Sequence, residues 1–64
     1  MLVLSRKLGE KIVLINPITK TVIASITLVD VDRNKVRLGI EADKTTVGVF
    51  REEILPSEYI PLST

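Results

Sequence analysis

The 64-residue sequence contains no cysteine, no histidine and no tryptophan. Disulfides are therefore excluded, and a transition-metal site would lack its two commonest ligand types. Carboxylates could still hold a hard cation, but no Asp-rich loop is present. Neither a Gly-rich phosphate loop nor a nucleophile–base pair can be found. We expect no metal, no cofactor and no enzymatic activity.

Long apolar runs are also missing. No segment reaches the roughly 18 consecutive apolar residues of a membrane span. The N-terminus leads straight into a strand-like pattern, with no charged region before an apolar run, so no signal peptide is indicated. These features predict a soluble, cytoplasmic protein with no membrane partner.

Aromatic residues are scarce: the chain has one Phe and one Tyr, although 45% of it is hydrophobic. The apolar residues are mostly Val, Ile and Leu, in excess of what one small core requires. A chain this short buries only about 60% of its unfolded surface. Without disulfides or metals, oligomerisation is the remaining way to stabilise it. We therefore predict an obligate homodimer with a shared core.

The apolar residues alternate with the period of two that is typical of β-strands. Five strands are predicted, at residues 2–7, 11–15, 21–31, 35–41 and 46–51. The strand at 11–15 is apolar on both faces, which is typical of a strand that is central or covered on both sides. The alternation changes phase near Leu28 and Val29, which predicts a β-bulge. Turns are predicted at Gly9 and at residues 32–34.

The C-terminal part has a different pattern. Residues 52–55 could begin a helix, but Pro56 and Pro61 limit its length. The prediction is thus one mainly β domain over residues 1–64, ending in a short helical tail at 55–64.

The charge is unevenly distributed, although the net charge is only +1. All nine Lys and Arg residues lie within residues 1–51, where five acids leave a net charge of +4. Residues 52–64 contain three Glu and no base. A basic body with an acidic tail is compatible with nucleic-acid binding.

Arg51 is the strongest candidate functional residue because it ends the last predicted strand. A stiff backbone there would aim its planar fork of donors at a ligand. The alternative is a structural ion pair with Glu10, Glu52 or Glu53.

Three separated blocks resemble one known family. Residues 1–10 (MLVLSRKLGE), 34–42 (NKVRLGIEA) and 47–54, which end in Arg-Glu-Glu-Ile, are similar to the carbon storage regulator family (CsrA/RsmA) and occur in the family's order. The resemblance covers nearly the whole chain to Ile54.

The resemblance implies an intertwined, strand-swapped homodimer of five-stranded chains. It also implies a translational regulator that binds GGA-containing loops in mRNA leaders. The first strand of one chain would meet the fifth strand of its partner to form each RNA site. By position, the implied RNA-binding residues are Leu4, Ser5, Arg6, Lys7, Ala42, Lys44, Val47, Val49, Phe50 and Arg51. Small regulatory RNA and a flagellar assembly factor antagonist are the further partners that it suggests.

The chain departs from the family pattern at several places. Residues 16–21 lengthen the hairpin between the second and third strands. Asp43 stands where the family often has Pro, and the loop is one residue longer around residues 45–46. Phe50 occupies a position that is often His. Pro56 and Pro61 make the usual C-terminal helix shorter or differently placed. Deletion of residues 56–64 is expected to leave RNA binding largely intact.

Within this interpretation Arg51 recognises a base, Arg6, Lys7 and Lys44 contact phosphates, and Leu4, Val47 and Val49 form the binding surface. Two other functions remain open. The chain could be a protein–protein module that docks a partner on an exposed strand edge. It could also be a DNA-binding β dimer.

Overall fold

The structure is a computed structural model that describes residues 1–62. Three strands form one antiparallel sheet in the order β1-β2-β3, followed by a single 3₁₀ helix, η1. Their bounds are β1 Lys11–Asn16, β2 Thr21–Asp32, β3 Lys35–Ala42 and η1 Glu52–Ile54. The mainly β class is therefore confirmed, and the second, third and fourth predicted strands are present.

The first and fifth predicted strands, residues 2–7 and 46–51, form no strand in the single chain. Within the described part of the chain, the backbone N–H groups of residues 2–6 and 48–51 make no backbone hydrogen bond. A strand exists only where it is paired with another strand, and in the single chain neither segment pairs with an edge of the sheet. The five-stranded form and the exchange of strands remain predictions.

The sheet presents one continuous apolar face. Ile26 on β2 lies opposite Ile12 on β1 and Ile40 on β3. Directly opposed residues point to the same side of a sheet, and every second residue joins them. We call this side the apolar face; it comprises Ile12, Leu14, Ala24, Ile26, Leu28, Val31, Val36, Leu38, Ile40 and Ala42.

The predicted bulge lies at Val29, where the register between β2 and β3 shifts after Leu28. The extra residue restores the alternation, so that Val31 falls opposite Val36. A Cβ atom on Gly39 would lie 2.9 Å from Cγ2 of Val29. Glycine at position 39 therefore leaves room for the side chain of the bulged residue.

Three residues of the turns have a left-handed backbone. Gly9 has a φ of 84° and donates its N–H to the Leu28 carbonyl at 2.8 Å. Lys20 in the β1–β2 turn has a φ of 61°, and Arg33 in the β2–β3 turn has a φ of 27°. The predicted turns at Gly9 and at residues 32–34 are thus confirmed.

Almost none of the chain is buried. Among the described residues only Ala24, 5% exposed, lies in a core. The accessible surface is 6456 Å², whereas a folded monomer of this mass exposes about 4,100 Å². The radius of gyration is 13.5 Å, against about 11 Å for a compact chain of this length. A single copy therefore leaves most of its apolar surface uncovered.

The placement of residues 11–15 differs from the expectation of a central strand. β1 forms an edge of the sheet, and only β2 pairs with it. One side of β1 belongs to the apolar face of the sheet, and the other side carries Val13, which is half exposed.

Candidate nucleic-acid interface

The ten predicted site residues fall into two groups in the single chain. The N-terminal group comprises Leu4, Ser5, Arg6 and Lys7. The C-terminal group comprises Ala42, Lys44, Val47, Val49, Phe50 and Arg51. Each group lies beside a different edge of the sheet.

The N-terminal group lies against β1. A groove of about 280 Å³ is lined by Leu4, Ser5 and Arg6 together with residues 11–13. Leu4 and Arg6 also border a second groove over the apolar face, of about 210 Å³, which reaches Leu38. Leu4 is thus half exposed and in contact with apolar surface, as a binding platform requires.

Arg6 is held by the turn that follows it. Its Nε donates to the Ser5 carbonyl at 2.8 Å, and Nη1 donates to the Lys11 carbonyl at 3.3 Å. Its Nη2 lies 3.6 Å from Oε1 of Glu10, and the same oxygen accepts the N–H of Lys7 at 2.7 Å. Both charged side chains are about two-fifths exposed, so the pair is worth at most about 1 kcal/mol. An RNA phosphate could therefore compete with Glu10 for Arg6.

Glu10 is a residue of this region that the sequence interpretation did not assign. Its carboxylate joins Arg6 to the turn through contacts to a side chain and to a backbone N–H. The four-residue separation from Arg6 was a signal for this contact. Gly9, between the two, allows the chain to fold back.

The C-terminal group begins with a loop built on Asp43. Its N–H donates to the Ile23 carbonyl at 3.1 Å, which fixes the loop to β2. Its Oδ1 accepts the Thr45 hydroxyl at 2.7 Å and the Thr45 N–H at 3.0 Å. Its carbonyl accepts the N–H of Val47 at 2.8 Å. These bonds orient Lys44 and Val47 relative to the end of β3.

The same hydrogen bonds change the acidity of Asp43. The pKa of its carboxyl is lowered from the usual value, first because the Thr45 hydroxyl donates to the charged form and then because the Thr45 N–H does so. Asp43 therefore stabilises this turn as a carboxylate.

Two grooves connect the C-terminal group with β3. Ala42, Lys44, Val47 and Val49 line the first, of about 410 Å³. Val49, Phe50 and Arg51 line the second, of about 720 Å³, with Arg37 and apolar residues of β3. Because Val49 belongs to both, the C-terminal group forms one continuous surface along the β3 edge.

Arg51 is exposed at the start of η1. Its carbonyl accepts the Ile54 N–H at 3.1 Å, which begins the 3₁₀ turn, while its side chain makes no cap hydrogen bond. Among residues 1–62 the one ion pair within 4.0 Å joins Arg6 to Glu10. The alternative in which Arg51 pairs with an acid is thus not what the single chain adopts, and its guanidinium fork is available to a ligand.

None of these four grooves contains members of both groups. β2 separates β1 from β3, and strands in a sheet are about 4.8 Å apart, so the two edges are about 10 Å apart. Arg6 and Arg51 therefore line separate grooves in the single chain.

Other kinds of site find little support in the described residues. In residues 1–62 no cluster of three or more Asp and Glu side chains has a geometry that could hold a metal ion. Within residues 1–62, no helical segment has the length and apolar character needed to span a membrane.

Comparisons with known proteins agree on one family. The profile of the CsrA family, described as a global regulator protein family, matches residues 1–58. The chain is 44% identical over 66 aligned positions to the translational regulator CsrA of Thermotoga maritima, covering 98% of the chain and 71% of that protein. It is 39% identical over 54 positions to the translational regulator CsrA of Desulforapulum autotrophicum, covering 84% of the chain and 58% of that protein. No solved structure gives a significant match.

Proposed function

Because the chain belongs to the CsrA family of global regulators, we propose that it is an RNA-binding post-transcriptional regulator that recognises GGA-containing loops in mRNA leaders. Binding across a ribosome-binding site would control translation initiation, and binding elsewhere in a leader would alter message stability. The observation that carries this proposal is the exposed Arg51, which has no ion-pair partner among residues 1–62 and lies on a surface continuous with the β3 edge.

The active form would be a homodimer over residues 1–64 with exchanged strands. Each chain has two free sheet edges, at β1 and β3, and two unpaired segments, at 2–7 and 46–51. Two copies that exchange these segments would satisfy both edges of both sheets. The surplus of roughly 2,400 Å² per chain over a compact monomer is in the range of obligate dimers. In that dimer the N-terminal group of one chain would meet the C-terminal group of its partner.

The chemistry of the two groups suits a single-stranded loop, in which base edges are accessible. Leu4, Val47 and Val49 would provide an apolar surface. Backbone N–H and C=O groups near them would pair with base edges. Arg51 would donate two parallel hydrogen bonds to a guanine, which is the commonest use of an Arg fork in base recognition.

The charged residues would contact the backbone of the RNA. Arg6, Lys7 and Lys44 are placed to contact phosphates, and each such contact contributes about −0.7 to the slope of log affinity against log salt. Small regulatory RNAs with the same loop would compete for these sites in the cytoplasm. A flagellar assembly factor is the proposed protein antagonist.

The decisive experiment is a binding titration with a short RNA hairpin that presents GGA in its loop. Arg51→Ala should abolish binding and leave a folded dimer, because the side chain is exposed and makes no cap hydrogen bond or ion pair among residues 1–62. Arg51→Lys should also bind weakly, because Lys keeps the charge but loses the fork. Arg33→Asn is the matched control: it removes one guanidinium at the β2–β3 turn, where Asn tolerates the positive φ.

The proposal fails if Arg51→Ala binds within about twofold of the parent, a difference below ~0.5 kcal/mol. It also fails if the variant dissociates into monomers. A parent protein that does not bind the hairpin at low salt would favour the second candidate, a protein–protein module, which the free β1 and β3 edges suit. Equal affinity for the DNA hairpin of the same sequence would favour a DNA-binding dimer instead.

A further inference from the structure

The two aromatic rings of the chain lie side by side. Phe50 is the only Phe and Tyr59 the only Tyr. Their ring centroids are 5.9 Å apart, with the planes tilted by 44°. Such a separation and tilt are typical of aromatic pairs that attract each other. The sequence interpretation assigned base recognition to Arg51 and gave Tyr59 no role.

The local structure after Arg51 produces this contact. The 3₁₀ helix η1 turns the chain, and the Leu55 N–H donates to the Glu52 carbonyl at 3.1 Å. A second turn follows, in which the Tyr59 N–H donates to the Pro56 carbonyl at 3.3 Å. The two turns bring Tyr59 back to Phe50, which directly precedes Arg51.

Both rings remain accessible. Phe50 is 47% exposed and Tyr59 is 51% exposed. Phe50 also lines the groove of about 720 Å³ that Arg51 borders. The pair therefore offers ring surface to solvent beside the residue proposed to recognise a base.

The charges near the pair select the kind of contact it can make. Glu52 and Glu53 lie in η1, and Glu58 precedes Tyr59. Negative charges disfavour a phosphate, but they do not prevent the stacking of an uncharged base. Unpaired RNA bases stack on aromatic side chains in many proteins.

We propose that Phe50 and Tyr59 form an aromatic subsite that stacks one unpaired base adjacent to the nucleotide bound by Arg51. The subsite deepens the proposed function and rests on it. It gives the C-terminal tail a part in RNA binding, and it replaces the expectation that residues 56–64 can be deleted without effect.

The test compares Tyr59→Leu with Tyr59→Phe in titrations with the GGA hairpin. Leucine keeps apolar bulk but has no aromatic face. The affinity of Tyr59→Leu for the hairpin should therefore fall about fivefold or more, as expected for the loss of a stacked base. Phe keeps the ring and should bind within twofold of the parent. The same titrations use hairpins in which each nucleotide flanking GGA is replaced in turn by an abasic residue. For the hairpin whose abasic residue replaces the stacked base, the parent and Tyr59→Leu should bind with equal affinity.

A direct readout is available, because the chain has one Tyr and no Trp. Tyrosine emission of the parent should be quenched by the intact hairpin and much less by the abasic hairpin at that position. The inference is wrong if Tyr59→Leu binds within twofold of the parent, if its loss persists on every abasic hairpin, or if it dissociates the dimer. Because Arg51→Ala is measured in parallel, failure of the subsite alone can be distinguished from failure of RNA binding as a whole.

Discussion

The three-stranded sheet and the segments that flank it are stabilised in different ways. β1, β2 and β3 follow one another along the chain and pair through two short turns. Eight of the ten candidate site residues lie in residues 2–7 and 46–51, and a ninth, Lys44, lies in the loop just before the second segment. Neither segment forms a strand in the single chain. The scaffold is thus specified by contacts within the chain, whereas the proposed site would need a second chain.

In the proposed homodimer, folding and assembly of the site would be coupled. The apolar face is too large for one chain to cover, and the site segments pair with no strand of their own chain. A second copy would cover the apolar face and pair with both segments. Binding to RNA would then depend on protein concentration, as well as on the residues that contact the ligand.

The largest expected effect comes from placing a charge on either side of β1. Leu14 on the apolar face and Val13 on the opposite face are 44% and 52% exposed, so a lone chain would tolerate Asp about equally at both. In the homodimer Leu14→Asp would bury a carboxylate and should destabilise by about 3 kcal/mol or more, whereas Val13→Asp should cost about 1 kcal/mol or less.

Urea denaturation at two protein concentrations, with sedimentation of the native samples, measures this contrast. The parent midpoint should rise with concentration, and Leu14→Asp should sediment as a monomer or fail to fold. Equal losses for Leu14→Asp and Val13→Asp would show that the apolar face is not the covered one.

A smaller effect is expected inside the scaffold. Gly39→Ala would place a Cβ 2.9 Å from Cγ2 of Val29 and should destabilise by about 1–3 kcal/mol. Val29→Ala in the same chain should restore part of the loss, because it removes the opposing methyl groups. Gly48→Ala is the matched control: its added Cβ would meet Phe50 at an ordinary 3.6 Å. Thermal unfolding of these three variants and of Val29→Ala alone measures the coupling, and additive losses would contradict a clash at the bulge.

The smallest effect concerns the loop at the border between scaffold and site. Because the pKa of Asp43 is lowered in the folded chain, its contribution to the turn is fully present above the usual carboxyl pKa. That contribution is lost as the pH falls through the lowered folded value. The Thr45 amide resonance should therefore shift in acid, with a midpoint below that of an ordinary Asp, and Asp43→Asn should abolish the titration. A midpoint above the ordinary value would contradict the hydrogen bonds from Thr45.

The scaffold was largely predictable because its determinants are local. Alternation with period two indicated the strands, and the change of phase near Val29 required a bulge. Gly9 was expected to adopt the positive φ that it has. The edge position of β1 was not predicted, because two apolar faces are also typical of a central strand.

The site was predictable only in part. The residues of each group follow from the family resemblance, whereas whether the groups meet depends on a second chain. The contact between Phe50 and Tyr59 could not be read from the sequence, because it joins residues across two irregular turns that have no periodic signal. The ion pair of Arg6 with Glu10 was overlooked, although its spacing was visible.

The separation of the two residue groups on opposite sides of β2 has a genetic consequence. In the proposed homodimer every site takes one half from each subunit. A chain defective at Arg6 and a chain defective at Arg51 would therefore complement each other when produced together. One of the two sites in such a mixed pair would inherit both defects, and the other would be entirely wild type.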